Sequence, residues 1–225
     1  MQPTIMVAKE LLGMFLVRRV RNQLLVGRIV EVEAYLGEQD PASHAYRGKT
    51  RRNEVMFWKG GHLYVYFTYG MHFCSNVVTE AEGIARAVLL RAVEPVEGIE
   101  VMVRNRGLNK RDDLIPRTTA RGGGVNPTFA HKTLLNLCRG PAKLCQAFGI
   151  GRKENGTDLC DNQIWLANDT YTSRKVTIAA SRRVGVNDGA RHKWRFYIKG
   201  NPYVSKGKPA IVEPFKNPPA RTMNA

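Results

Sequence analysis

The sequence predicts an α+β fold, a single mixed domain with a curved, largely antiparallel sheet, flanking helices and a protruding β-hairpin. Runs of strong β-formers with alternating character recur from Met14 to Ile198, and they read as strands. The helical patterns between them are short and end at glycine or open at proline. No internal repeat or linker divides the 225 residues, a length suited to one domain spanning 1–225.

Val7 to Leu12 reads as a short helix stopped by Gly13. Met14 to Val20 and Leu24 to Tyr35 follow as strands joined by a turn at Arg21-Asn22-Gln23. In the second strand Leu24, Val26, Val30, Val32 and Ala34 share one face, and Glu31, Glu33 and Tyr35 share the other. One buried side is therefore expected, with two carboxylates and a ring held outward. Gly37 to Asn53 is a polar, basic connection carrying His44, Arg47, Lys49, Arg51 and Arg52.

Leu63 to Phe67 and Phe73 to Thr79 form the expected hairpin. Its turn is Thr68-Tyr69-Gly70-Met71, with Gly70 supplying a positive φ and Tyr69 projecting from the tip. Ala85 to Ala92 is a further strand, apolar except for Arg91. Pro95 is expected to open a helix running through Arg106, closed by Gly107. The basic Gly/Pro/Thr-rich stretch that follows lacks periodicity, so a mobile basic insertion is expected at 107–132. A helix pair spans Leu134 to Phe148, with Gly140-Pro141 at the second start and Gly149 as the stop. Strands at Lys175 to Ala180 and Trp194 to Ile198 complete the chain.

Charge narrows the partners. Thirty-five Lys+Arg against 19 Asp+Glu give +16, an excess that favours a polyanion, most often nucleic acid and less often an anionic membrane. A merely soluble basic protein is the plainer account. No apolar stretch is long enough to span a bilayer, and Met1 to Leu16 is broken by Lys9 and Glu10 and offers no secretory h-region. Cys74, Cys138, Cys145 and Cys160 form neither a C-x-x-C pair nor a zinc spacing, so free thiols, a reducing compartment and no metal site are expected.

Three constellations could carry chemistry. A Glu31/Glu33 carboxylate beside Arg91 could hold and deprotonate a water, although a wet strand face explains two glutamates equally simply. Tyr64, Tyr66 and Tyr69 crowd the hairpin. Core packing or stacking on an extruded base would equally account for the first two, whereas a ring at the tip of a basic protein's hairpin suits a wedge between base steps. Gly140-Pro141-Ala142-Lys143 places a helix N-terminus and a lysine where a phosphate could sit, and Arg51, Arg52, Arg106 and Arg152 could touch more of a backbone. Two other classes fit the same residues: a nuclease holding Mg²⁺ on Glu31, Glu33 and Asp40, and a module whose tyrosines only stack on bases.

Read together, these words resemble the alkyladenine (3-methyladenine) DNA glycosylase family. The resemblance lies in Arg28 to Gly37 (RIVEVEAYLG), Leu63 to Tyr66 leading into Tyr69-Gly70-Met71 and Phe73 to Asn76, Val88 to Pro95, Gly140 to Ala147 and Arg183 to Val186, in order along nearly the whole chain. It implies a monofunctional enzyme that flips a damaged purine out of double-stranded DNA and hydrolyses its N-glycosyl bond. Glu33 matches the general base, and Arg91 and the Val184 carbonyl match the groups that hold the water. Tyr35, His44 and Tyr66 match the walls around the base, the His44 amide reading its edge, and Asn76 matches a residue obstructing guanine's amine. Tyr69 matches the side chain filling the duplex gap, with Met71 beside it, and Arg52, Arg106, Lys143 and Arg152 fall where the family touches the backbone.

The implied reaction requires no cofactor and no metal, and no lysine near Glu33 offers an amine nucleophile. A monomer is expected, with an abasic-site endonuclease acting downstream and no membrane partner. The Gly107 to Lys132 segment is longer than the family pattern, and His72 stands where an aromatic is more usual. The short N-terminus leads to the expectation of a compact bacterial form working at the nucleoid in the cytoplasm; a eukaryotic form would be nuclear.

Overall fold

The computed structural model describes residues 2–108, 131–168, 176–187 and 191–207, together with the backbone of Leu114–Ile115 and Thr128–Phe129. The architecture is α+β, with four α-helices among the described residues and a large antiparallel sheet. The strands are β1 (Phe15–Val20), β2 (Gln23–Tyr35), β3 (His62–Thr68), β4 (His72–Val78), β5 (Ala87–Glu97), β6 (Leu114–Ile115), β7 (Thr128–Phe129), β8 (Thr157–Asp158), β9 (Ile164–Ala167), β10 (Ile178–Ser181) and β11 (Arg195–Ile198). The helices are α1 (Thr4–Glu10), α2 (Ile99–Asn105), α3 (His131–Leu137) and α4 (Pro141–Phe148).

β2 organises the sheet. Along one edge it pairs with β5 from Val26 to Tyr35; the other edge is shared by β1 at its beginning and β11 towards its end. The order then runs β5-β4-β3-β8, with β9 outside β1 and β10 outside β11, while β6 and β7 pair separately. Helix α1 packs on β2 and β5, α4 packs on β4 and β5, and α2 and α3 lie against α4. The main core draws Leu25, Ile29, Val32 and Ala34 from β2, Leu90 and Val93 from β5, and Leu144 and Phe148 from α4. A smaller cluster of Met56, Tyr64, Val78 and Ala87 lies under the end of β3 and β4.

Two expectations are corrected. β2 has no wet face: every residue from Ile29 to Ala34 is buried, Glu31 and Glu33 at 0% exposure. Arginines from β5 and β11 supply the charge that makes such burial tolerable. Pro95 lies within β5, opposite Gly27, instead of opening a helix. A register shift between Val26 and Gly27 accommodates the strand there, and Gly98 (φ 72°) makes the turn into α2. The short strands β8 and β9 were not anticipated from the sequence.

The first helix lies earlier than expected, at Thr4–Glu10, and other local signals agree with the structure. The β1–β2 turn, the β3–β4 hairpin, the helix pair broken at Gly140-Pro141 and the αL stop at Gly149 (φ 68°) all form. Most of the expected 107–132 insertion, and Lys175, lie outside the described residues. All four cysteines are free thiols, and only Cys160 is exposed. Among the described residues, no helix is long and apolar enough to cross a membrane.

Candidate active site

The sheet and the start of α4 enclose an open cavity of about 260 Å³. Tyr35 enters it from β2, Arg91 and Leu89 from β5, Tyr64 and Tyr66 from β3, Cys74 and Asn76 from β4, and His44 from the connection after β2. Pro141 and the Val184-Gly185-Val186 loop complete the wall. Strand alternation explains the convergence: residues two apart on β2, β3 and β4 point to one side. The sequence thus set Tyr35, His44, Tyr66, Asn76, Arg91 and Val184 apart as site residues, and the fold brings all six to one cavity.

The His44 ring stands edge-on to Tyr66, with centroids 4.4 Å apart, and its Nδ1 lies 3.0 Å from the Tyr64 hydroxyl. Crowding by its surroundings, then the Arg52 charge, push the imidazole down to about 4, although the ring still opens to solvent. Burial pushes the Tyr64 hydroxyl up to about 12 and that of Tyr66 further. At neutral pH this wall is therefore uncharged. Asn76 is buried and donates through Nδ2 to the Tyr64 carbonyl at 3.2 Å, which fixes its amide.

Glu33 stands directly behind the cavity wall, touching three of its lining residues. Its Oε1 accepts from the Val184 amide at 2.7 Å and lies 3.3 Å from Arg91 Nη1; its Oε2 accepts from the Tyr35 hydroxyl at 3.0 Å. Burial and the Glu33 carboxylate raise the Tyr35 phenol well above its ordinary value, so it stays protonated and donates. The contact that Val184 makes with Glu33 runs through its N–H, whereas the resemblance assigned a role to its carbonyl.

The basic and wedge candidates occupy the surroundings. Tyr69 is 86% exposed and Met71 68% exposed at the tip of the β3–β4 hairpin. Tyr69 (φ 50°) and Gly70 (φ 67°) both adopt positive φ, as a type I′ turn requires. Arg52 reaches from the rim, donating to the Phe67 carbonyl at 3.2 Å, with its guanidinium 5.8 Å from the Tyr66 ring. Lys143 sits in the first turn of α4, and partial burial together with Arg106 and Arg139 lowers its ammonium. Arg152 is exposed, and the neighbouring Gly151 lies against the Phe73 ring near the hairpin turn.

Two further groups were not singled out for this site from the sequence. Arg183 is fully buried, donates to both Asp40 oxygens at 2.5 and 2.7 Å, and places its guanidinium 4.6 Å from the Tyr35 ring. It thereby fixes the residue preceding Val184. Arg195 donates through Nε to Glu31 at 2.7 Å. Its signal resembled that of Arg91, a lone arginine in a strand of apolar and aromatic neighbours. Glu31, Glu33 and Asp40, the three carboxylates that a Mg²⁺ site would need, are thus each engaged by arginine. Among the described residues no cluster of three or more His, Cys, Asp or Glu could hold a metal ion.

Known proteins share this framework. Residues 1–202 match the family model of the methylpurine-DNA glycosylases. Over 202 residues the chain is 47% identical to a protein of Carboxydothermus hydrogenoformans named "Putative 3-methyladenine DNA glycosylase", covering 90% of this chain and 93% of that protein. Proteins of the same name from Alkaliphilus oremlandii (42% identity, 91% and 95% covered) and Prosthecochloris aestuarii (45%, 92% and 89%) match as extensively. The chain belongs to the methylpurine-DNA glycosylase family, hydrolases of the DNA N-glycosyl bond.

Proposed function

We propose that this DNA glycosylase flips alkylated or deaminated purines (3-methyladenine, hypoxanthine and ethenoadenine) into the cavity and hydrolyses their N-glycosyl bond. It acts as a monofunctional enzyme and leaves an abasic site for an endonuclease. The observation that carries the reading is Glu33, a fully buried carboxylate held by Val184, Arg91 and Tyr35 against the wall of an aromatic cavity. Departure of the base builds positive charge on the sugar, and an ionised carboxylate nearby stabilises that charge while accepting a proton from water.

The other roles follow from placement. Tyr35, His44 and Tyr66 flank the extruded base, and their neutral rings add no positive charge of their own against a cationic alkylpurine. Asn76, with its amide fixed, limits what fits at the base edge. Tyr69 fills the space vacated in the duplex, with Met71 beside it, while Arg52, Arg106, Lys143 and Arg152 bind phosphates. No lysine is among the described residues lining the cavity, which supports direct attack by water over an amine intermediate.

The test uses a duplex with one labelled hypoxanthine or ethenoadenine, incubated in EDTA and then treated with hot alkali. Cleavage at the lesion only after alkali is expected; cleavage without alkali would indicate lyase or nuclease chemistry. Glu33→Gln should lower base release by at least ~10²-fold while DNA binding persists. Unchanged release would remove Glu33 from the base's role and favour a different mechanism.

A further inference from the structure

Glu31 has no part in the chemistry above, yet it is a buried carboxylate that accepts four hydrogen bonds beside Arg91. Its Oε1 accepts from Arg91 Nε at 2.8 Å, Arg195 Nε at 2.7 Å and the Ser205 hydroxyl at 2.8 Å. Its Oε2 accepts from the Ser205 amide at 2.6 Å. Burial alone would raise this carboxyl, but Arg91, Arg195 and Ser205 hold it below the ordinary value, so it stays ionised. A buried ion pair is weak evidence of added stability, because well-packed apolar residues often serve as well. What an ion pair supplies is geometry.

That geometry is visible at Arg91. Nε is bound to Glu31, Nη1 lies 3.3 Å from Glu33, and Nη2 donates to the Ser205 hydroxyl at 3.4 Å. Three separate partners fix the plane of one guanidinium, and two of them lie outside the reacting set. The segment that carries Ser205 is itself fastened: Arg139 Nε donates to the Val204 carbonyl at 2.7 Å, and Asn201 Nδ2 donates to Glu94 at 3.3 Å. It also abuts Val184, for a Cβ on Gly207 would meet Val184 Cγ1 at 2.5 Å. Residues 201–207 therefore brace two of the three groups that hold Glu33, namely Arg91 and Val184.

We propose that Glu31 and Ser205 are positioning residues, which hold the Arg91 guanidinium so that Nη1 faces Glu33 and the attacking water. This rests on the reading of Glu33 and Arg91 given above. Ser205 is suited to the task because its hydroxyl donates to Glu31 while accepting from Arg91, so one side chain ties the two together. Its partial exposure means that it can be altered without opening the core.

The experiment compares Ser205→Ala, Ser205→Thr and Glu31→Gln with the unmodified protein in single-turnover base release, lesion-duplex affinity and thermal midpoint. Ser205→Ala should release base about tenfold more slowly with affinity and midpoint unchanged, and Ser205→Thr should restore the rate. Glu31→Gln should be slower still; if it fails to fold, the Ser205 pair decides alone. An unmodified rate in Ser205→Ala would overturn the proposal. So would a slow rate that Thr does not restore and that comes with a matching loss of thermal midpoint, since that marks a purely structural role. Glu33→Gln is run in parallel: if it retains turnover, the reading of Glu33 fails, whereas a dead Glu33→Gln beside a fully active Ser205→Ala sinks only the positioning role.

Discussion

His44 shows how much of this site depends on keeping charge out. Its ring meets Tyr66 and Tyr64, and the imidazolium is disfavoured by crowding first and by the nearby Arg52 charge second. An NMR titration should find the His44 ring neutral down to a midpoint of about 4. Arg52→Ala should move that midpoint up towards the ordinary 6.5. A midpoint near 6.5 in the unmodified protein would contradict the crowding of His44 by its aromatic neighbours. The sign for stability follows from linkage. An unfolded chain takes up this proton at higher pH than the folded one, so the contribution is whole above pH 6.5 and declines as pH falls towards about 4. The ring is solvent-accessible, so the decline should be shallow. Its consequence for binding is larger, because a protonated His44 would place a cation against an already cationic lesion.

Among the elements, two turns use positive φ for different ends. Gly98 enters α2 at φ 72°, where a Cβ would lie 2.4 Å from the Leu24 carbonyl oxygen and 2.6 Å from Leu25 Cδ2. Backbone cannot yield as a side-chain tip can, so Gly98→Ala should cost about 2–4 kcal/mol in denaturant unfolding. Gly70 has φ 67° with nothing within 4 Å, and Gly70→Ala should cost only about 1–2 kcal/mol from the backbone conformation. Equal losses at the two sites would show that contact with β2 does not matter. Beside Gly70, Tyr69 accepts a left-handed conformation that most residues avoid, and it spends that strain on holding an 86%-exposed ring at the hairpin tip. Tyr69→Ala should leave the thermal midpoint intact and slow excision more from a fully paired duplex than from a mismatched one, because flipping costs most where pairing is strong. A uniform effect across both substrates would argue against a wedge.

At the scale of the molecule, what the sequence disclosed and what it hid divide by distance along the chain. Turn glycines, strand alternation and the Gly140-Pro141 break are local signals, and they put the hairpin, β2 and α4 in place. The continuation of β5 through Pro95 depends on pairing with β2, far away in sequence, so a proline that reads locally as a helix start misleads. The same holds for the faces of β2. Alternation showed that Glu31, Glu33 and Tyr35 share a side, but Arg195 and Ser205, which cover Glu31, arrive from more than 160 residues downstream. Net charge, by contrast, is a property of the whole chain that needs no fold to be read. With 35 Lys+Arg against 19 Asp+Glu, phosphate binding should dominate affinity for duplex DNA. Arg52, Arg106, Lys143 and Arg152, with a neighbour or two, would neutralise about six phosphates, and releasing their counterions gives a salt slope near −5 on a log–log scale. Affinity for an undamaged duplex should then fall ~10³-fold between 50 and 200 mM salt, as read by fluorescence anisotropy. Because the aromatic side of the cavity, His44 with Tyr64 and Tyr66, is neutral, the ratio of lesion to undamaged affinity should change far less over that range. A flat salt response would dismiss the phosphate-contact surface. A selectivity ratio that collapses with salt would instead place charge, not shape and stacking, at the centre of lesion recognition.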